Sequence, residues 1–389
     1  MIILVILKMN NSHTPIYDFD NLKPILMTLI IEYDVDNLNL PALYVLIPAT
    51  KLKIHNNSFI KKQGKIQFPR ELNIPGEILS MRYMNNTKGI IRSKKPTCFP
   101  NAIIFDIGST DRIISAELSK TIELRSVRTY EVAYEVFGYL VYYMKKCNNN
   151  IKLIIDNKSR AKEIADNIYN INVNKLNKTD KKIYNFMLTQ INQYNSYEQK
   201  RLILNLILSL NRELFTGSLK MLKISSHMVN INFSLGYAIN KVEFAKIMNE
   251  FPFICKFTNA SNQSSIKVKF PYYKYDKNKK QNKIAYHTLR VNKSGHVCYS
   301  GPDLETMKLV YYSFMKRVIM NEEKIASKEH HKQIIKLQGK YEVISLDEFK
   351  QFIREQNELK EKLINGKIDV IENYIMQDNL SVNLTCSQI

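Results

Sequence analysis

TIELRSVRTYEVAYEVFGYLVYYM (Thr121–Met144) decides the fold, because its pattern returns late in the chain as GHVCYSGPDLETMKLVYYSFMKRV (Gly295–Val318). Each stretch opens on a short alternation of apolar and polar residues, the period of a half-buried strand, and passes directly into apolar residues at helical spacing. In the first copy Tyr130, Ala133, Phe137, Leu140, Val141 and Met144 make one helical stripe. The copies align without a gap: Leu124 with Cys298, Ser126 with Ser300, Glu131 with Glu305, Phe137 with Tyr311 and Leu140 with Phe314. A match at such separation predicts an internal repeat.

Upstream of the first copy, Ile25–Tyr33 (ILMTLIIEY) has the composition of a buried strand, and Pro41 suits the first turn of a helix to about Ile47, started at Asn39 or Leu40. Residues 51–75 are Lys- and Asn-rich and are expected to be an insertion. GEILSMRYM and KGIIRS flank Asn85, Asn86 and Thr87 as a hairpin, and FPNAIIFDI from Phe99 and IISAELSK from Ile113 are further strands. The same order recurs from Met228: MVNINFSL, a helix capped by Asn240 with Glu243, strands FICKFTN, SSIKVKF, AYHTLRVN and HVCYS, then a helix from Pro302 to about Met320. Residues 151–225 read as helical, with Ser196 and Gln199 as a capping box, and another helix is expected from Ser345, burying Phe349, Phe352, Ile353 and Leu363. The expected organisation is an N-terminal extension (1–21), a first repeat with insertion (22–150), a helical linker (151–225), a second repeat (226–320) and a C-terminal helical region and tail (321–389). The fold class is α+β.

Lys and Arg outnumber Asp and Glu by 57 to 36, a formal charge of +21 that favours polyanionic partners. AT-rich codons, which encode the abundant Asn, Ile, Lys and Tyr, account for part of that excess. Cys98, Cys147, Cys255, Cys298 and Cys386 are scattered, with no spacing for zinc, as expected of reduced thiols inside a cell. The Met1–Leu7 run is too short for a signal peptide, with Met9 a second possible start, and Leu202–Leu210 falls short of a membrane span. The expectation is a soluble intracellular protein with no membrane partner.

No phosphate-binding glycine loop, nucleophile elbow or metal-binding histidine pair occurs, so no catalytic residue, metal or cofactor is expected. The binding signal lies in SSIKVKF, where Lys267 and Lys269 share one strand face while Ile266, Val268 and Phe270 share the other. Arg290 and Asn292 share a side of the neighbouring strand, opposite Leu289 and Val291, and Lys277, Lys279, Lys280 and Lys283 lie in or beside the intervening loop. Singly, each is an ordinary solvated residue; together they suit phosphate. In the first half Arg92, Lys94 and Lys95 precede Phe99, placing cations beside an aromatic able to wedge between base pairs.

FPNAIIFDI resembles the second strand of a TATA-box-binding protein repeat, which opens on a kinking phenylalanine; Phe99 stands at that position. NKSGHVCYSG (Asn292–Gly301) is similar to the family's Phe-x-Ser-Gly-Lys-x-x-x-Thr-Gly stretch, keeping Ser294, Gly295 and Gly301 and placing Ser300 at the threonine, with Ser126 at the equivalent place in the first half. The likeness covers residues 22–147 and 226–320. Leu118, Gln263 and Asn292 hold the other three kinking positions, and Pro24 and His227 replace the paired asparagines. The insertions and helical connector resemble divergent forms carried by large DNA viruses.

The resemblance implies two pseudo-symmetric halves, each a curved antiparallel sheet with helices on its convex side, the concave face meeting the minor groove of double-stranded DNA. Phe99 would wedge, Leu118 and Asn292 would occupy wedge positions, Ser126 and Ser300 would contact base edges, and Lys267, Lys269 and Arg290 would hold phosphates. It implies a non-enzymatic transcription initiation factor, with transcription-machinery proteins as partners, acting in the nucleus or a cytoplasmic viral factory. Two alternatives keep the fold: a protein-interaction scaffold of a transcription complex that has lost DNA kinking, and an accessory nucleic-acid-binding protein or domain.

Overall fold

The computed structural model describes residues 14–50, 60–62, 65–67, 74–90, 100–255, 265–276, 281–327, 343–344 and 351. The chain divides into two compact units, Leu26–His227 (the first unit) and Met228–Ile389 together with Met1–Ile25 (the second unit). In chain order the strands are β1 (Ile16–Tyr17), β2 (Leu26–Tyr33), β3 (Ile60–Lys62), β4 (Lys65–Gln67), β5 (Ile78–Tyr83), β6 (Asn86–Gly89), β7 (Ile103–Gly108), β8 (Ile113–Leu118) and β9 (Thr121–Val127). They continue as β10 (Met221–Ser234), β11 (Ile254–Cys255), β12 (Ser265–Asp276), β13 (Gln281–Asn292), β14 (His296–Gly301) and β15 (Val343–Ile344). The helices are α1 (Leu40–Leu46), α2 (Tyr130–Asp156), α3 (Lys158–Asp166), α4 (Lys178–Ile191), α5 (Tyr197–Ser209), α6 (Lys241–Met248), α7 (Leu304–Met320) and α8 (Glu322–Ile325). The protein is thus mixed α+β with extensive antiparallel sheet.

In the first unit the strand order is β2-β9-β8-β7-β5-β6, every pair antiparallel. Leu29, Leu124, Ala116, Phe105 and Met81 form one cross-strand row and are fully buried. Helix α2 buries Ala133, Val136, Leu140 and Met144, a stripe close to the expected one, although Tyr130 faces solvent and Phe137 is half-buried. Asn39 starts α1 by accepting a hydrogen bond from the Ala42 amide at 3.1 Å. Helix α2 runs unbroken for 27 residues, so the expected boundary at 150/151 falls within it, and α3, α4 and α5 form one helical group with it. Ser196 precedes α5 but makes no side-chain capping bond, so that expected capping box does not form.

In the second unit the order is β11-β12-β13-β14-β10. Two buried rows, Ile266–Val291–Val297–Phe233 and Val268–Leu289–Tyr299–Ile231, alternate with exposed ones. Helix α7 contributes Met307, Tyr311, Phe314 and Val318 to this core and α6 contributes Phe244 and Met248, with Phe233 and Tyr311 edge-to-face at 5.0 Å. Asn240 caps α6 through the Val242 and Glu243 amides, as its spacing predicts. Residues 14–22 belong to this core instead of forming a detached extension. Ile16, Tyr17, Phe19 and Leu22 are buried, the Tyr311 hydroxyl donates to the Tyr17 carbonyl at 3.0 Å, and β1 pairs with β15. The helix expected from Ser345 lies outside the described residues, apart from Gln351.

The gapless alignment of the two stretches holds in the helices, where Ala133/Met307, Val136/Val310, Leu140/Phe314 and Met144/Val318 are all buried. It fails in the strands: Leu124 is buried, whereas Cys298 is half-exposed on the other face. The cause is a β-bulge. Met27 pairs with Val127 but Thr28 pairs with Arg125, leaving Ser126 as an extra residue at φ +69°. Pairing therefore matches Arg125, not Ser126, to Ser300, and shifts the correspondence by one residue before the bulge.

Candidate nucleic-acid interface

Strand alternation in β12 and β13 buries Ile266, Val268, Leu289 and Val291 and turns their neighbours outward. Register then fixes what lies side by side. One open row runs Lys267, Arg290, Cys298, Asn232; the next runs Ile254, Lys269, Thr288, Ser300, Asn230; a third runs Ser265 and Asn292. Lys267, Lys269 and Arg290 are exposed, and none has an ion-pair partner among the described residues. The Lys269 ammonium sits 4.8 Å from the centre of the Tyr286 ring, a diagonal contact that steers it over the face. Ser300 donates to the Asn230 side chain, so these two polar groups hold one another in place. The Oδ1 of Asn232 is enclosed without a hydrogen-bond partner. Cations at one edge and amide and hydroxyl groups at the other can meet phosphates and base edges in one footprint.

Two glycines of the Ser-Gly…Gly stretch have local structural causes. Gly295, at φ +80°, turns β13 into β14, and a Cβ there would lie 1.9 Å from the Tyr237 carbonyl oxygen. A Cβ on Gly301 would meet the Met307 side chain at 2.4 Å and His287 Nδ1 at 2.7 Å. His287 lies beneath the open face, fully buried, with Nδ1 2.9 Å from the Tyr299 hydroxyl and its ring against Tyr272 at 4.9 Å. Burial pushes its pKa down to about 4, against a weaker opposing pull from Asp303.

The first unit's open face is different. Its rows carry Ser80–Asp106–Ser115–Arg125–Thr28 and Arg82–Ile104–Glu117–Glu123–Ile30, but Thr28, Ser80, Ile104 and Asp106 are buried, so the face is open only around Glu117, Glu123 and Arg125. Arg125 is clamped by Glu123 at 2.7 Å and Glu117 at 2.6 Å, and Arg82 lies 3.7 Å from Asp106, which also accepts from Ser80 at 2.6 Å. Two cations here meet three carboxylates, so both are neutralised within the face. Leu118 is fully buried beside Ile103 and Ile122 on the covered side, so a wedge position there is withdrawn. Ser126 is half-exposed at the bulge. Phe99, Gln263, Lys277, Lys279 and Lys280 lie outside the described residues; Lys283, on β13, is exposed.

One residue missed by the sequence reading stands out. Phe251 is 68% exposed just before β11, and Arg317 donates to the carbonyls of Glu250 at 2.5 Å and Phe251 at 2.8 Å. The next aromatic, Phe253, is buried against Phe270. Phe-Pro pairs stand at Phe68-Pro69, Phe99-Pro100, Phe251-Pro252 and Phe270-Pro271, the last within β12, so the pair alone did not single out Phe251.

No family model and no curated protein matches the chain. Among solved structures it is similar to Methanococcus jannaschii TBP, with 9% identity, 78% of this chain and 99% of that chain covered, and a TM-score of 0.32. Among the described residues no helix is long and apolar enough to cross a membrane, and no three His, Cys, Asp or Glu side chains are grouped to hold a metal.

Proposed function

We propose that this protein is a TATA-box-binding-protein-like DNA-binding factor of transcription initiation, non-enzymatic and built from two pseudo-symmetric repeats, and that its second unit carries the DNA contact. The carrying observation is the open face of β10–β14, where Lys267, Lys269 and Arg290 stand beside Asn230, Thr288 and Ser300 and, among the described residues, no carboxylate pairs with them. The corresponding element orders of the two units and the matching buried positions of α2 and α7 support the repeat reading. Phe251, exposed at the mouth of β11, has the chemistry of a wedge into a base step. Sequence preference would then come mainly from how readily the duplex deforms. Divergent viral relatives remain the family members whose insertions this chain resembles, and an intracellular setting suits the free thiols of Cys147, Cys255 and Cys298.

The first unit's face, whose two arginines are neutralised by three carboxylates, favours a second reading, a scaffold within a transcription complex. Fluorescence anisotropy with AT-rich and GC-rich duplexes across a salt series separates the two. Binding through the second unit is expected to show a steep salt dependence, with Lys267→Ala/Lys269→Ala reducing the log–log slope by about 2, since each phosphate contact contributes about 0.9. An unchanged slope in the double variant removes the face from the interface. No binding above background leaves the scaffold reading standing.

A further inference from the structure

Helix α2 carries a feature that neither its core packing nor the sheet face uses. Tyr134, Gly138 and Tyr142 fall on one side of it, two turns end to end, and both tyrosines are exposed. Gly138 lies well inside a 27-residue helix, where glycine weakens the helix relative to alanine. Packing gives no reason for it, since a Cβ there would meet nothing within 4 Å. The result is an open notch between two aromatic walls.

That notch continues into a groove of about 660 Å³ lined by Pro75, Gly76, Glu77, Glu135, Tyr139 and Tyr143 as well. Its floor is fixed. The Tyr143 hydroxyl donates to the Gly76 carbonyl at 2.9 Å, the Tyr139 hydroxyl donates to Glu135 at 2.9 Å, and Glu135 also accepts from the Thr110 amide at 3.0 Å. The lining holds two carboxylates, Glu77 and Glu135, and the chain's own cation beside it is Lys146, whose ammonium lies 5.6 Å from the centre of the Tyr142 ring at one end of the groove. One oxygen of Glu77 is enclosed without a hydrogen-bond partner.

We propose that this groove docks an extended, proline-containing basic segment of a partner protein. Tyrosine faces accept proline rings and stack with guanidinium or ammonium groups, and a polyproline II chain advances by about 12 Å over four residues, the length of two helical turns. A proline or arginine stem enters at Gly138 between the two walls, and the flanking cations meet Glu77 and Glu135. The carboxylates oppose nucleic acid at the same place, which selects a protein segment over a phosphate backbone.

The test uses the full chain and a fluorescein-labelled Pro-Pro-Arg repeat peptide, with a Pro-Pro-Glu repeat of equal length as control. Saturable binding of the arginine peptide alone is expected, weakened at least tenfold by Tyr134→Ala/Tyr142→Ala and several-fold by Glu135→Gln. Gly138→Leu separates structure from docking, because it is expected to raise the melting temperature while abolishing binding. Equal binding of both peptides, or affinity untouched by Gly138→Leu and by the tyrosine pair, overturns the proposal. Self-association lost in the tyrosine variant would name a second copy of the chain as occupant and overturn the partner assignment, and weakened duplex binding in that variant would overturn the exclusion of nucleic acid.

Discussion

Acid is expected to destabilise the second unit in part through one side chain, His287. Its ring is fully buried on β13, enclosed by Phe270, Tyr272 and Tyr299, and burial lowers its pKa to about 4. In the unfolded chain the same imidazole titrates near 6.5, so between these values the unfolded state holds the extra proton. Stability attributable to this group is therefore fully present above pH 6.5 and declines as pH falls toward 4. The gap corresponds to about 3 kcal/mol at 1.36 kcal/mol per pKa unit. His287→Phe keeps an aromatic of similar size and leaves the Tyr299 hydroxyl its acceptor, the Met307 carbonyl at 3.2 Å. The chain lacks tryptophan, so urea unfolding is followed by tyrosine fluorescence at pH 4 to 8 in both proteins. Carboxylate contributions cancel in the difference, which is expected to shift in favour of the wild type by about 3 kcal/mol from pH 4 to pH 7. A flat difference, or an NMR titration placing His287 near 6.5, refutes the reasoning.

Three further outcomes are expected. The Lys88 ammonium closes the end of α1 by donating to the carbonyls of Tyr44, Val45 and Ile47 at 3.1, 2.7 and 3.2 Å, and burial lowers its pKa to about 8. Stability should rise between pH 8 and the ordinary lysine value near 10.4 in pH-dependent melts, and Lys88→Met should cost about 2–3 kcal/mol by stripping the carbonyls of their donor. Deleting residues 1–22 uncovers Tyr311 and removes the buried apolar side chains of Ile16, Tyr17, Phe19 and Leu22 at roughly 1.5–3 kcal/mol each, so hydrogen exchange in α7 should accelerate strongly. Phe251→Ala removes an exposed ring and should leave stability within about 0.5 kcal/mol while reducing duplex bending measured by FRET.

Local periodicity was legible and connectivity at single-residue resolution was not. A period of two placed Lys267, Lys269 and Arg290 on the open side because nothing in β12 or β13 interrupts the pleat. In β9 a bulge at Ser126 interrupts it, and a one-residue insertion leaves no mark on composition. The paired serines therefore align by sequence without occupying the same place in the sheet. Leu118 failed for a related reason: its strand was recognised, but its face depends on pairing with Ile103 and Ile122. The N-terminal segment was read as an extension because its partners, Tyr311 and Tyr312, lie far along the chain. The Phe251-Pro252 pair was visible in the sequence and went unread, since its meaning comes from an exposed ring beside an open face.

A surplus of +21 fits codon bias and ligand binding equally well as a total, but its placement does not. On the first unit's open face Arg125 is held by Glu117 and Glu123, so meeting a phosphate would require breaking those pairs and desolvating carboxylates against like charge. On the second unit's face the three cations have no such competitors among the described residues. Phosphate contact should therefore be confined to one five-stranded face, not extended over a symmetric pair. At about 4.8 Å per strand such a face spans roughly 24 Å, or about seven base pairs at about 3.4 Å each. Affinity measured against duplexes of increasing length should then rise to a plateau near seven or eight base pairs, beyond a statistical factor for multiple registers. A plateau at about twice that length would mean that the first unit's ion pairs open on binding, and the single-face assignment would fall.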